Sequence, residues 1–269
     1  MSEAVDLDAY FERIRWGGST RPGYETLAGL LRAHMLHIPF ENLDVLLRRR
    51  VHLELDPLQN KLVRAHRGGY CFEHATLFAA VLEQLGFEPM RHTARVIVFL
   101  PPHASPRTHM VLTVPTADGT FVADPGLGVL APRTPIPLVD EVKVHDDNEV
   151  HWMAREQNHW TLRAKIGERV VDCWVSPLEL DNLVDFEVGN HYTSTHPKSP
   201  FVNRIMLRAL TPWGRVTVMD RDVTLWRAGT PHAHQLADRA ALRRLLAEHF
   251  GFDLPGVERL RVVSIPEWE

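Results

Sequence analysis

Apolar residues in the first third of the chain recur at the spacing of a helix. From residue 71 they occupy positions i, i+4, i+7, i+11 and i+14, which share one helical face, and Gly86 follows where a glycine commonly ends a helix. Asp56 and Pro57 have the order of an N-cap and a first helical residue. We therefore predict that residues 1–88 are helical, with helices near 7–14, 27–35, 58–63 and 71–85.

The pattern changes to that of strands near residue 89. Runs of β-branched and aromatic residues between turn residues predict strands at 95–99, 108–114, 120–124, 160–164 and 170–174. The charged stretch 140–149 is predicted to be a solvated loop. Beyond residue 200 we expect strands at 204–210, 215–219, 223–226 and 261–265, and a helix at 236–250. Helices, then strands, then a mixed segment are typical of an α+β protein.

The composition is that of a globular protein without a membrane span. Of 269 residues, 45% are hydrophobic and 24% are charged, with no long apolar run. The net charge of −4 argues against a nucleic-acid partner. Two cysteines cannot form a disulfide framework, and the acidic N-terminus lacks the layout of a signal peptide, so we expect a cytoplasmic protein. A monomer and a homodimer are both compatible with the sequence.

Cys71 is the first candidate for chemistry. Gly68 and Gly69 precede it and are expected to let the backbone turn sharply, and the helical pattern begins at the cysteine itself. A helix N-terminus carries partial positive charge and unpaired N–H groups. This environment favours the nucleophilic thiolate of a cysteine.

A base and an orienting carboxylate are expected on a hairpin further along the chain. Two predicted strands flank the turn residues 115–119, and a tight turn there makes the numbers of facing residues sum to roughly 233 to 235. His109 then faces Asp124 or a residue within two of it. Cys71, His109 and Asp124 follow the order nucleophile, base and orienting group.

These residues resemble the arylamine N-acetyltransferase family. The similarity rests on Arg-Gly-Gly-Tyr-Cys-Phe-Glu at 67–73, Thr-His-Met at 108–110 and Asp-x-Gly-x-Gly at 124–128, and similar segments lie at 7–14, 38–44, 190–197 and 199–201. The resemblance implies three parts with a papain-like relation between the first two. They are an N-terminal helical bundle (1–88), a central β-barrel (89–193) and a C-terminal α/β lid (194–269).

The resemblance also implies roles for residues near the three candidates. Gly126 and Gly128 would border the acyl and cofactor pocket, and Phe40 and Phe201 would line the aryl pocket. By residue type alone, Gly126 and Gly128 could equally belong to a flexible turn, and Phe40 and Phe201 could equally be residues of the core. Leu127 stands where the family usually has phenylalanine, so we expect a roomier acceptor pocket.

The implied reaction is acetyl transfer in two steps. Cys71 takes the acetyl group from acetyl-CoA, and an aromatic amine or hydrazine then takes it from the acetyl-cysteine, with His109 as base and Asp124 orienting it. Xenobiotic metabolism and a dedicated metabolic step are both open, and no metal is expected. The residues alone predict only a cysteine acyl-transfer enzyme; the donor and the acceptor come from the resemblance.

Three other functions stay open. The first is an amide synthase of the same family, which would close a macrolactam from a carrier-bound acyl chain. The second is a papain-like or transglutaminase-like enzyme, which has the same Cys, His, Asp order and acts on peptides. The third is a binding protein that uses the fold without catalysis.

Other polar residues have simpler interpretations. Cys173 lies within a predicted strand and is expected in the core. His74 follows Cys71 at the spacing of half a zinc site, but no second ligand pair is evident, and the family often has an amide there. Glu41 and Arg67 are expected to form an ion pair behind the site. Arg48–Arg50 is expected to be a solvated face.

Overall fold

A computed structural model describes residues 4–146 and 149–268. In these residues five helices precede the first strand, one more than the four that the helical spacing predicts, and three more lie in the second half of the chain. A π-helical stretch, Gln59–Arg64, continues the fourth helix. The helices are α1 (Leu7–Ile14), α2 (Tyr24–His37), α3 (Leu43–Leu46), α4 (Leu55–Leu58), α5 (Cys71–Gln84), α6 (Leu183–Thr195), α7 (Pro200–Asn203) and α8 (Arg239–Leu245).

An eight-stranded antiparallel sheet forms the middle of the protein, in the order β4-β3-β2-β1-β8-β7-β6-β5. A bridge between Asp140 and Met153 joins the segment after β4 to β6, so the sheet nearly closes into a barrel. Its strands are β1 (Met90–Val96), β2 (His109–Thr116), β3 (Gly119–Ala123), β4 (Ile136–Pro137), β5 (Val144–Asp146), β6 (Glu149–Glu156), β7 (His159–Ile166) and β8 (Arg169–Ser176).

A second antiparallel sheet of four strands follows, in the order β12-β11-β10-β9. Helix α8 starts after its N-cap Asp238, continues as the π-helical stretch Leu246–Phe250, and ends at Gly251 with φ +77°. Short 3₁₀ turns lie at Gly128–Leu130, Val257–Arg259 and Pro266–Trp268. The strands are β9 (Met206–Thr211), β10 (Gly214–Met219), β11 (Asp222–Arg227) and β12 (Thr230–Gln235).

Most predicted elements are confirmed, but two strand assignments and one loop assignment are wrong. The first strand is residues 90–96 rather than 95–99, because buried polar residues hide its pattern: His92 bonds to Thr113, and Thr93 bonds to Asp181. The predicted loop 140–149 contains β5 and the start of β6, although residues 147 and 148 lie outside the described residues. Residues 261–265 form a turn whose Val262 and Ile265 fill the core.

Smaller differences concern element ends and missed elements. Helix α4 begins at Leu55 with Glu54 as N-cap, so Asp56 and Pro57 lie inside its first turn. The sequence pattern did not predict α3, α6, α7, β4, β5, β6 or β12. Residues 1–3 of the acidic N-terminus lie outside the described part. No helix in residues 4–146 or 149–268 is long and apolar enough to cross a membrane.

A chain of buried hydrogen bonds crosses the helical part. The Tyr10 hydroxyl lies 2.8 Å from His34 Nδ1, His34 Nε2 lies 2.8 Å from His74 Nδ1, and His74 Nε2 lies 3.2 Å from the Pro39 carbonyl. Because a carbonyl only accepts, His74 Nε2 donates to it. With both imidazoles neutral, His74 Nδ1 then accepts from His34, and His34 Nδ1 accepts from Tyr10. Burial lowers the pKa of His74 to about 4 and that of His34 well below its ordinary value.

This chain predicts a loss of stability in mild acid. In the unfolded chain both histidines bind protons below about pH 6.5, but in the folded protein they do so only at much lower pH. The stabilisation is complete above pH 6.5 and is lost as the pH falls toward 4. At pH 5 each buried histidine should cost about 2 kcal/mol of unfolding free energy. In His74→Gln, urea unfolding at pH 7 and pH 5 should differ by about 2 kcal/mol less than in wild type.

The exposed His159 provides the control. His159→Gln should keep the wild-type dependence on pH. If the unfolding free energy of His74→Gln depends on pH as strongly as that of wild type, His74 is not responsible for the loss of stability in acid.

Candidate active site

Cys71 is the first residue of α5, as predicted, and is only 3% exposed. Its thiol donates to the Thr108 carbonyl at 3.6 Å, so the strand that carries His109 begins beside it. Gly68 and Gly69 do not have the positive φ that a sharp glycine turn needs. They are required for close approach instead: a Cβ on Gly68 would lie 2.0 Å from the Pro39 carbonyl oxygen, and one on Gly69 would lie 2.7 Å from Glu73 Oε2.

His109 and Asp124 meet through the predicted hairpin. Leu112 pairs with Ala123 and Thr116 with Gly119, so facing numbers sum to 235, within the predicted range. His109 Nε2 lies 2.8 Å from Asp124 Oδ2. The carboxylate is fully buried and also accepts from the indole N–H of Trp174 at 2.9 Å and from the backbone N–H of Gly126 at 3.2 Å. Three donors thus compensate for the burial of its charge.

This environment favours the protonated imidazole. Burial lowers the pKa of His109, but the charge and hydrogen bond of Asp124, together with the hydrogen bond and charge of Cys71, outweigh it and raise the pKa to about 10. Since Nε2 faces the carboxylate and carries a proton, Nδ1 is the nitrogen available to exchange a proton with the thiol.

The loop after Asp124 packs directly on the cysteine. A Cβ on Gly126 would lie 2.5 Å from Cys71 Cα, so only glycine fits there. Gly128 has φ +70°, and the position of its Cβ lies 3.5 Å from the Phe40 ring. The structure therefore brings the two predicted loop glycines to Cys71 and Phe40.

The predicted aromatic residues also lie together. The rings of Phe40 and Phe201 meet edge to face with centroids 6.1 Å apart, and Phe201 lies 5.3 Å from the ring of Tyr70, which precedes Cys71. Leu127 is half-buried and packs against both the helical core and the barrel core. Neither phenylalanine is fully buried.

A network of ion pairs anchors the segment before Cys71. Arg67 Nη2 lies 2.6 Å from Glu41 Oε1, which confirms the expected ion pair, and 3.3 Å from Asp44. Lys61 bridges Asp44 at 2.8 Å and Glu73 at 2.7 Å. The Glu73 carboxylate in turn accepts a hydrogen bond from the backbone N–H of Tyr70, the N-cap of α5. The network ties the turn before the cysteine to α3 and to the stretch after α4.

The other candidates have structural positions. Cys173 is completely buried, as expected, and burial raises the pKa of its thiol. Both ring nitrogens of His74 make protein hydrogen bonds, which leaves no lone pair for zinc. Within residues 4–146 and 149–268, no three His, Cys, Asp or Glu side chains are arranged to hold a metal ion. Arg49 and Arg50 pair with Asp44 and Glu54, and the three arginines border an outer cavity of about 980 Å³.

Sequence reasoning missed two residues of the site. Trp174 completes the hydrogen bonds of Asp124, and Arg208 donates to the Gly128 carbonyl from β9. Trp174 had a weak signal, because a tryptophan that points into a barrel needs an acceptor for its N–H. Arg208 had none, since an arginine inside a strand usually faces solvent.

A helix-start cysteine near a buried His–Asp pair, in a fold of helices and a nearly closed barrel, is an arrangement typical of enzymes that use a cysteine nucleophile. Residues 24–259 match a family model described as N-acetyltransferase. The chain belongs to the arylamine N-acetyltransferase family.

Individual relatives match over almost the whole chain. The Mycobacterium tuberculosis arylamine N-acetyltransferase is 35% identical over 94% of this chain and 92% of its own length. The Salmonella typhimurium arylamine N-acetyltransferase / N-hydroxyarylamine O-acetyltransferase is 32% identical over 94% and 90%. The Mycobacterium marinum arylamine N-acetyltransferase, solved in complex with CoA, superposes with a TM-score of 0.89 at 32% identity, covering 95% of this chain and 97% of its own.

Loss of the Asp124 charge should change the pH dependence of Cys71 reactivity. In Asp124→Asn the lowering of the His109 pKa by burial is no longer offset by the Asp124 charge. The pKa of His109 therefore falls, and the imidazolium that would stabilise a Cys71 thiolate is no longer populated near pH 7. Because each pKa unit changes the ion-pair population tenfold, alkylation of Cys71 by iodoacetamide at pH 7 should slow by at least about tenfold. The difference from wild type should narrow as the pH rises.

The measurement uses a Cys173→Ala background, which leaves Cys71 as the single thiol. Asp172→Asn, an exposed aspartate on β8, should behave like wild type. Equal alkylation rates for Asp124→Asn and Asp172→Asn at pH 7 would contradict the role of Asp124.

Proposed function

We propose that this protein transfers an acetyl group from acetyl-CoA to an aromatic amine or hydrazine through an acetyl-Cys71 intermediate. The observation that carries this proposal is the 2.8 Å His109–Asp124 pair beside the helix-start thiol in a member of this family. His109 is the base, and Asp124 holds its tautomer and compensates its charge.

The first step exchanges one thioester for another. The Cys71 thiolate attacks the acetyl carbonyl carbon, the bond between that carbon and the CoA sulfur breaks, and the His109 imidazolium protonates the departing CoA thiolate. The products are acetyl-Cys71, a neutral His109 and free CoA. Backbone N–H groups at the start of α5 are suitable donors for the oxyanion that forms in between.

The second step forms the amide. The amine nitrogen attacks the acetyl-cysteine, His109 accepts one of its protons, and Cys71 departs as a thiolate beside the imidazolium. This restores the starting ion pair. An aryl amine suits the step because it is neutral near pH 7 and keeps its lone pair, whereas an alkyl amine is protonated.

The neighbouring residues support this assignment. Gly126 and Gly128 belong to the loop that lies on Cys71, where a bound acyl group and CoA would pass. Phe40, Leu127 and Phe201 form the apolar side near the cysteine and are proposed to contact the aryl ring. The M. marinum relative in complex with CoA supports CoA as the carrier.

The three-part organisation is proposed on the same basis. Residues 205–268 have an apolar core of their own, which takes in Leu43 and Leu46 and is packed by Leu47 from the first part, and this suits a lid on the bundle and barrel. Helix α6 continues through residue 193, so the second boundary, between 193 and 194, lies within a helix. Both cysteines are free thiols, which supports a cytoplasmic location.

Intact-protein mass spectrometry after brief incubation with acetyl-CoA tests the donor and the nucleophile together. Wild type should gain one acetyl group, because the thiolate is acylated in the absence of acceptor. Adding an aryl amine should remove the group as the acetylated amine appears. Cys71→Ser should gain none, since a serine hydroxyl is a far weaker nucleophile at this pH.

Cys173→Ser serves as the matched control and should be acetylated like wild type. An unmodified wild-type protein would overturn acetyl-CoA as the donor. An adduct that persists in Cys71→Ser would overturn the assignment of the nucleophile.

The size of residue 127 should affect the range of acceptors. Phenylalanine at this position adds bulk beside Cys71, so Leu127→Phe should lower kcat/KM for a two-ring aryl amine by about tenfold or more, as expected for a filled apolar pocket. For a single-ring amine the change should stay within about threefold. Equal effects on both amines in a substrate panel would show that Leu127 does not limit acceptor size.

A further inference from the structure

Arg208 is a buried cation close to the proposed reaction centre. It lies on β9 and is only 4% exposed. It makes no ion pair with the residues that the structure describes. Glu149 is the carboxylate that acts most strongly on the pKa of Arg208, but it forms its ion pair with Arg215. Burial lowers the pKa of Arg208 to about 10, so the side chain is still a cation at neutral pH.

The arginine joins two separate segments of the site. Its backbone forms a bridge with Phe40, with N–O distances of 2.8 Å and 2.9 Å in the two directions. Its guanidinium Nη1 donates to the Gly128 carbonyl. That carbonyl also accepts from the Ala131 N–H at 3.3 Å, so both directions of its lone pairs are used and its orientation is determined.

The loop 125–128 is thereby held at both ends. At its start, Asp124 Oδ1 accepts from the Gly126 N–H, and Gly126 packs on Cys71 Cα. At its end, Arg208 holds Gly128, whose α-carbon faces the Phe40 ring. Glycines alone leave such a loop with a wide choice of backbone angles, so its position depends on these two anchors.

Stability alone does not account for an arginine at this position. Burying a guanidinium costs free energy unless all of its donors and its charge are compensated. Arg208 has no carboxylate partner in the described residues, and its Nε–H has no hydrogen-bond acceptor there. An apolar side chain of similar length would fill the same space without this cost.

We propose that Arg208 is a positioning residue: by holding the Gly128 carbonyl, it seats the loop 125–128 and Phe40 against Cys71 for acetyl transfer. This inference rests on the proposed function. The residue acts through the loop: in the described part of the chain it makes no hydrogen bond or ion pair with Cys71, His109 or Asp124, although the Asp124 charge acts on it at a distance.

Three variants test the proposal. Arg208→Met removes the donors and the charge while keeping the apolar stem, and Arg208→Lys keeps the charge and a donor. Arg221→Met is the control, because Arg221, in the turn between β10 and β11, also donates to a backbone carbonyl, that of Leu236, away from the loop. Unlike Arg208, it also pairs with a carboxylate, that of Glu267. For each we would measure the rate of Cys71 acetylation by acetyl-CoA, the rate of Cys71 alkylation by iodoacetamide, and the melting temperature.

We expect Arg208→Met to acetylate Cys71 about tenfold to a hundredfold more slowly, as for a misplaced binding group. Its alkylation rate, which does not require a seated loop, should stay within about twofold of wild type, since the triad is intact. Its melting temperature should equal or exceed that of Arg221→Met, and Arg208→Lys should recover part of the acetylation rate. Acetylation equal to that of Arg221→Met, or acetylation and alkylation reduced by the same factor, would overturn the proposal.

Hydrogen exchange separates this inference from the proposed function. In Arg208→Met the backbone amides of residues 126–131 should exchange faster than in wild type, while those of α5 should be unchanged. If wild type itself is not acetylated, the proposed function fails, and the exchange result still decides whether Arg208 holds the loop. Unchanged exchange in residues 126–131 would overturn the inference by itself.

Discussion

The burial of the Asp124 carboxylate is the constraint on which the site depends. A charge with no exposed surface requires donors from the protein, and the three it has come from three different places: a ring on β2, an indole on β8 and the backbone of the following loop. These bonds fix the position of the hairpin relative to β8, from which β2 is separated by β1. They also fix where the loop begins and, through Gly126, how close it lies to Cys71.

A second constraint comes from backbone packing around Phe40. This residue is bridged to Gly69 on one side and to Arg208 on the other, so the segment before Cys71, the helical part and the four-stranded sheet share hydrogen bonds at one point. The Pro39 carbonyl lies so close to Gly68 that residue 68 has no room for a side chain. Small residues at 68, 69 and 126 therefore allow three segments to meet at the thiol, and the charged network of Lys61 and Arg67 supports them from behind.

Most of the site could be predicted because its signals are local. Helical spacing located the start of α5, and turn residues fixed the register that brings His109 to Asp124. Prediction failed where polar residues are buried in strands. His92 and Thr93 disguise β1, and Glu149, which pairs with Arg215 from the other sheet, made the start of β6 resemble a solvated loop. In each case a partner distant in the chain compensates the polar group, and no window of sequence contains that partner.

The sequence by itself indicated the proposed nucleophile, base and orienting carboxylate, the succession of a helical, a strand-rich and a mixed part, and the family. These follow from short-range periodicity, from turn geometry and from motifs of adjacent residues. Only the tertiary structure decided that Gly68 and Gly69 serve close approach, that Trp174 completes the shell of Asp124, and that Arg208 reaches Gly128. The physical reason is that a contact between residues 50 or 80 positions apart depends on how sheets and helices pack, and local preference carries no information about that packing.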